Sequence, residues 1–259
     1  MPLRLFVKVH KRERCKKVYF LPCHKIAPVP KTNHDGGLLM EKPVIRKENV
    51  VEILDKKFIR VYDLQYAPGR HYYDATRRPL EDLVALKDAA AHKAMLPDAV
   101  SCIVIIAPEG EEPKLLLQDE YRYPAGQLLL SIPAGLIDAE DKKKPREEAI
   151  IATAIRELKE ETGITMTEKD RASVANPFLF STPGMTDESN ALACLVIRSF
   201  DRNELSHAGS EGGEFFADSY LLTRADALRI MRQGCDDKGI FYSIFTWAAM
   251  NYFVADLWK

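Results

Sequence analysis

The stretch "AIRELKEETGI", residues 154–164, constrains this chain more than any other. It sets Glu157, Glu160 and Glu161 within little more than one helical turn, followed by Gly163, the usual left-handed stop. A helix is expected from Pro145, a residue suited to the first helical position. At about 100° per residue, Ile151, Ile155 and Leu158 form a narrow stripe read as the buried side. The three glutamates fall on a separate arc. Glu157 and Glu161, four apart, bring their Cβ atoms to about 6 Å, and unpaired repulsion there costs a few tenths of a kcal/mol. Either the face is solvated, or the carboxylates gather round a hard divalent cation, which takes oxygen donors. The preceding "SIPAGLID" favours the cation: a strand runs into a Pro-Ala-Gly turn whose backbone carbonyls can face the same cavity. Arg156 can orient a neighbouring carboxylate through its planar fork.

Around this helix the chain alternates between strand and helix patterns. Strands are expected at "KFIRVYDLQY", "AVSCIVIIA", "KLLLQDEYRY", "QLLLSIPAG" and "ALACLVIRSF", with earlier ones at "LRLFVKV" and "KKVYFLP". Helices are expected at 79–96, 145–162, 223–233 and near the C-terminus. The pattern implies an α/β (α+β) chain with α/β/α layering. A boundary near residue 96 divides a small β-rich N-terminal part, 1–96, from a mixed α/β domain, 97–259.

Composition narrows the function classes. With 46% apolar and 29% charged residues the chain reads as an ordinary globular protein, and its net charge of -1 gives no reason to expect a polyanion partner. The basic run "KVHKRERCKK" is read as a solvated face, not a nucleic-acid site. Cys15, Cys23, Cys102, Cys194 and Cys235 are scattered without paired spacing, which fits a reducing compartment. Cys15, Cys23 and His24 lack a second matching pair, so zinc is not expected. "MPLRLFVKVHKRER" has no sustained apolar core, and the apolar run at 240–258 is interrupted by Ser243, Thr246, Asn251 and Asp256. A cytoplasmic protein with no membrane partner is expected, its last helix packed in a core or a subunit interface.

Gly135 followed by "REEAIIATAIRELKEETGI" resembles the Nudix hydrolase signature, G-x5-E-x7-R-E-U-x-E-E-x-G-U, with U a bulky aliphatic residue. The second half matches in full at Arg156, Glu157, Leu158, Glu160, Glu161, Gly163 and Ile164. The first half carries a seven-residue insertion, "DKKKPRE" or an equivalent placement. Counting from Gly135 the signature glutamate falls on Asp141, and counting from Arg156 it falls on Glu148. "LLLQDEYRYPAGQLLLSIPAGLID" and "STPGMTDE" are similar to segments of the ADP-ribose pyrophosphatase subgroup. Ser131 stands where that subgroup often has an acid.

The resemblance implies a Nudix α/β/α sandwich with a mixed sheet, preceded by a β-rich part, and Mg2+-dependent (or Mn2+-dependent) hydrolysis of a nucleoside-diphosphate sugar. ADP-ribose, giving AMP and ribose 5-phosphate, is the expected substrate. A GDP-sugar, a dinucleoside polyphosphate, or a sensor that binds a nucleotide sugar without turnover are the alternatives. It also implies a homodimer. Glu157 and Glu161 are the implied metal ligands, with Glu160 and Arg156 supporting and the Ala134 carbonyl as a further oxygen. Glu188 is the implied general base, with Asp187 able to exchange roles. Arg122 is the implied diphosphate or ribose contact, and Tyr72 and Tyr73 the aromatic faces for adenine, supplied from a partner subunit. "GSEGGEFF", 209–216, is read as a loop near the metals or a plain solvated loop, and His207 as solvated.

Overall fold

The computed structural model describes residues 43–207, 209 and 213–259. The strand candidates "LRLFVKV" and "KKVYFLP", and the Cys15, Cys23 and His24 group, lie outside them. Pro43–Lys259 form one compact unit.

This unit opens with an antiparallel three-stranded sheet, β1 (Val50–Asp55), β2 (Arg60–Ala67) and β3 (Arg70–Thr76). Tyr62 and Leu64 of β2 close a small core with Leu83. That core explains one departure from expectation. Residues 79–96 do not form a single helix; they break into 3-10 turns at Leu80–Asp82 and Val84–Leu86 and a short α1 (Ala89–Ala94). Leu83 takes extended angles (φ -52°, ψ 131°) and is fully buried, so seating it interrupts the helix. Helix α1 then starts afresh on Asp88, whose side chain accepts the Ala91 N–H at 2.8 Å.

The second sheet is mixed and holds seven strands. Its main path runs β10 (Phe216–Leu222), β5 (Lys114–Arg122), β4 (Ala99–Ile106), β9 (Ser189–Ile197) and β8 (Arg171–Phe180). Strand β6 (Gln127–Ser131) pairs with β5, and β7 (Ala134–Leu136) with β4. Only the β4–β9 pair is parallel among these. Alternation along β4 separates two cores. Val100, Cys102, Val104 and Ile106 pack with α2 (Arg146–Thr162), while Ile103 and Ile105 pack with α3 (Arg224–Gln233) and α4 (Ile244–Val254). The result is the expected α/β/α sandwich. No helix among the described residues is long and apolar enough to cross a membrane.

Helix α2 departs from the expected phase. Its buried side carries Ala149, Ile150, Thr153, Ala154 and Leu158, whereas Ile155 is exposed and Ile151 half-buried. Glu157 and Glu161 lie on this same buried side, at 7% and 4% exposure, not on a separate solvated arc. Fully burying a side chain such as Leu158 contributes about 2 kcal/mol, and Ile150, Ala154 and Leu158 together set the helix rotation. The insertion does not lengthen the helix. It forms a 3-10 turn at Asp141–Lys143 before a helix that begins at Arg146. At the other end Gly163 adopts φ 77°, and its N–H closes on the Lys159 carbonyl.

Candidate functional site

Burial on α2 aims the Glu157 and Glu161 carboxylates at the sheet, where β5 and the Pro-Ala-Gly turn meet them. Glu161 Oε1 accepts the Ala134 N–H at 3.1 Å, and Oε2 accepts the Gln118 side-chain amide. Ala134 therefore meets Glu161 through its N–H. Glu157 pairs with Arg156 Nη1 at 2.7 Å. Its carboxylate occupies the space a side chain on Gly135 would need, since a Cβ there would fall 1.9 Å from Glu157 Oε1. Arg156 also reaches Glu160 at 2.9 Å and donates to the Leu136 carbonyl at 3.0 Å. It thereby ties the helix to β7, the orienting task its planar fork suits.

A third buried carboxylate, Glu120 of β5, belongs to the same cluster. Arg122 Nη2 pairs with it at 2.7 Å, and Ser131 hydrogen-bonds it. Arg122 thus stands beside the acids, while Ser131 supports one of them as a hydroxyl. Burial pushes the Glu161 carboxyl up to about 8. The Ala134 N–H and the Gln118 amide pull it down, and the charges of Glu120 and Glu157 push it up again. Burial likewise raises Glu157 to about 6, against Arg156 and with Glu160 and Glu214 adding to the rise. Burial raises Glu120 too, opposed by Arg122.

Three buried acids, two of which raise the third by their charge, fit the kind of donors a hard divalent cation takes. Gln118 adds a buried Oε1 that has no hydrogen-bond partner. Among the described residues no three acidic, imidazole or thiol groups already stand at ligand spacing, so the acids form a cluster and not a finished cage.

Glu188, Asp187 and Tyr72 make their contacts between the 181–188 loop and the segment around the first sheet. Glu188 Oε1 pairs with Arg77 Nε at 3.3 Å, and Asp187 Oδ2 accepts the Val84 N–H at 3.3 Å and faces Arg78 Nε at 3.5 Å. Both hold the "STPGMTDE" loop against the first sheet, where Thr186 bridges Ala75. Tyr72 donates its hydroxyl to the Gly184 carbonyl at 2.9 Å, and Tyr73 is exposed. Of the two claimants to the signature glutamate, Asp141 is buried, taking the Thr153 hydroxyl at 3.2 Å and Lys144 at 2.6 Å. Glu148 is exposed. None of the three acids lines the cavity of about 460 Å3 formed by Arg77, Lys87, Asp98, Leu136 and Lys142 among others.

Sequence reasoning passed over Gln118 and Glu120, and held Glu214 only as part of the 209–216 loop. The alternation of "LLLQDEY" carried a signal for the first two, because residues 118 and 120 of a strand share one face. His207 is not solvated as expected. Its Nδ1 lies 2.6 Å from the Glu161 carbonyl oxygen, and its ring stacks on Phe216.

Comparison with known proteins agrees with this geometry. The family model described as "NUDIX domain" matches residues 95–217. A Caenorhabditis elegans protein named as a nudix hydrolase is 38% identical over 104 residues, covering 40% of this chain and 40% of its own length. A Saccharomyces cerevisiae ADP-ribose pyrophosphatase is 34% identical over 105 residues, covering 40% of this chain and 39% of its own length. The match thus spans about two fifths of these curated relatives. A solved structure described as an ADP compounds hydrolase superposes with a TM-score of 0.52 at 17% identity, over 85% of this chain and 95% of that one. That likeness concerns the fold. The signature helix, the glycine beneath Glu157 and the family match agree in placing a NUDIX domain over residues 95–217 of this chain.

Proposed function

We propose that the protein hydrolyses the diphosphate of a nucleoside-diphosphate sugar, with ADP-ribose as substrate and AMP and ribose 5-phosphate as products. The observation that carries this reading is the buried cluster of Glu120, Glu157 and Glu161 beside the Arg122 guanidinium. The name of the yeast relative, an ADP-ribose pyrophosphatase, supports the substrate. Glu157 and Glu161, with Glu120 near them, would hold Mg2+ or Mn2+. Such an ion supplies charge neutralisation on the diphosphate and a more acidic water.

The remaining tasks fall to the chain's own side chains. Arg122 binds diphosphate oxygens, exchanging part of its pairing with Glu120 for the more highly charged ligand. Arg156 holds Glu157 and Glu160 in place against β7. Water attacks one phosphorus as the bridging P–O bond breaks, and a carboxylate takes the proton that water loses. Two acids compete for that last role. Glu188 pairs with Arg77 beside the first sheet, whereas Glu214 precedes the strand that pairs with Glu120, and its charge adds to the rise of Glu157 and Glu120. We assign the proton to Glu214, with Glu188 positioning the 181–188 loop.

The first sheet is proposed as a homodimer face. Val51, Ile53, Phe58 and Tyr73 are exposed there, and β1 is an outer strand. In the dimer, Tyr72 and Tyr73 would offer aromatic surface to an adenine ring in the partner's site. Incubation with ADP-ribose and Mg2+ or Mn2+, read by chromatography against a panel of GDP-sugars and dinucleoside polyphosphates, tests the substrate. AMP and ribose 5-phosphate in equal amounts are expected. Faster release of products from another panel member would replace ADP-ribose in this reading, and tight binding without any product would make the protein a sensor.

A further inference from the structure

Glu214 stands between Gly213 and β10, and two sets of contacts fix that short run. On one side it is joined to β5: Phe216 pairs with Glu120 across the ladder, Tyr121 donates its N–H to the Phe215 carbonyl at 2.9 Å, and the Tyr123 hydroxyl donates to the Gly213 carbonyl at 3.0 Å. On the other side the join is His207. Its ring lies nearly flat on Phe216, with centroids 5.0 Å apart and an interplanar angle of 12°. Nδ1 is 2.6 Å from the Glu161 carbonyl oxygen and Nε2 is 3.2 Å from Ser219 Oγ. A carbonyl can only accept, so Nδ1 donates to it, while Nε2 shares a hydrogen bond with the Ser219 hydroxyl.

One imidazole therefore joins the last turn of α2 to both the first residue and the middle of β10. The backbone around it is drawn in as well. The Ser206 N–H donates to the Thr162 carbonyl at 3.0 Å, and a Cβ on Gly209 would meet the Glu160 carbonyl oxygen at 2.7 Å. The residue whose carbonyl His207 holds, Glu161, is also the most deeply buried acid of the α2 pair.

We propose that His207 is a positioning residue for hydrolysis, locking the end of α2 to the start of β10 and so fixing the entry to β10, with Glu214 on it, beside Glu120 of β5. This rests on the reading of Glu214 as proton acceptor, and the test separates the two. His207→Phe keeps a ring over Phe216 and removes both hydrogen bonds; Ser219→Ala removes the Nε2 partner alone. Each is compared with wild type, with Glu214→Gln and with the His207→Phe/Glu214→Gln double variant. Steady-state ADP-ribose kinetics and amide hydrogen exchange are the readouts.

His207→Phe is expected to lower kcat roughly ten- to hundredfold, with KM within about twofold, and Ser219→Ala to do the same more weakly. In the Glu214→Gln background His207→Phe is expected to cost almost nothing more, because residues acting as one unit are not additive. Exchange is expected to quicken at 213–219 while β4 and β9 keep their protection. Unchanged kcat in His207→Phe, or an equal loss on top of Glu214→Gln, overturns the proposal. If Glu214→Gln keeps wild-type kcat, or wild type does not turn over ADP-ribose, the functional reading fails instead. Exchange then decides whether His207 is a lock at all, and unchanged exchange at 213–219 means it is not.

Discussion

The Glu157 carboxylate lies over Gly135, where a β-carbon would come within 1.9 Å of Glu157 Oε1. The clashing atoms are the far end of a side chain, so Gly135→Ala is accommodated by turning Glu157 away, not by moving the backbone. The variant is expected to melt close to wild type and to lose activity roughly a hundredfold, the effect of misplacing a reacting group by about 1 Å. Thermal melts beside kcat/KM measure both, and a large fall in Tm would show that the glycine serves the fold instead.

Glu161→Gln separates charge from shape at the most buried acid of the pair. The new amide can still accept the Ala134 N–H through its oxygen. Its NH2 then faces Gln118, whose side chain needs only to flip to offer its present orphan Oε1. Folding is expected to be intact, with turnover abolished and Mg2+ affinity lost by calorimetry. Undiminished turnover would remove Glu161 from the metal set.

Asp74 gives a pH prediction independent of the metal. Burial, then the charge of Asp187, raises its carboxyl to about 6, against hydrogen bonding from the Asp187 backbone and the charge of Arg78. Because the folded value exceeds the unfolded one, the ionised group costs stability above about pH 6. That cost fades as pH falls and is gone near pH 4. Asp74 lines a cavity of about 230 Å3 with Tyr72 and Asp187. Water reaching it there reduces the expected size to about 1–2 kcal/mol. Asp74→Asn is expected to be more stable than wild type by that amount at pH 7 and equal to it near pH 4, by urea unfolding at both. A gain independent of pH would place the effect elsewhere.

Phe58, at 69% exposure, sits at the proposed dimer face. Wild type is expected to sediment as a dimer at micromolar concentration, and Phe58→Glu as a monomer with its fold retained. A monomeric wild type would refute both the face and the partner-subunit role of Tyr72 and Tyr73.

The helix at 146–162, its glycine stop and the strands at β4, β5 and β9 were legible because strong periodicity and long apolar runs leave few alternatives. Strand β8 was not. "RASVANPFLF" carries a proline and two register shifts, and among the described residues β9 is its only strand partner. The 79–96 helix failed for the opposite reason: its local propensity is helical, but seating Leu83 beneath the first sheet outweighs it.

For the site, the sequence by itself determined which acids stand one turn apart on α2 and that a glycine turn precedes them. These are local facts, governed by helical and turn geometry. Which way the acids face was decided by tertiary packing: Ile150, Ala154 and Leu158 bury against β4 and β9, and that rotation carries Glu157 and Glu161 inward. Tertiary structure alone brought in Glu120 from β5 and Glu214 from the entry to β10. It also turned His207 from a solvated loop residue into a join between elements. Contacts between residues dozens of positions apart leave no spacing for a sequence to display, and only the packed sheet sets their distances.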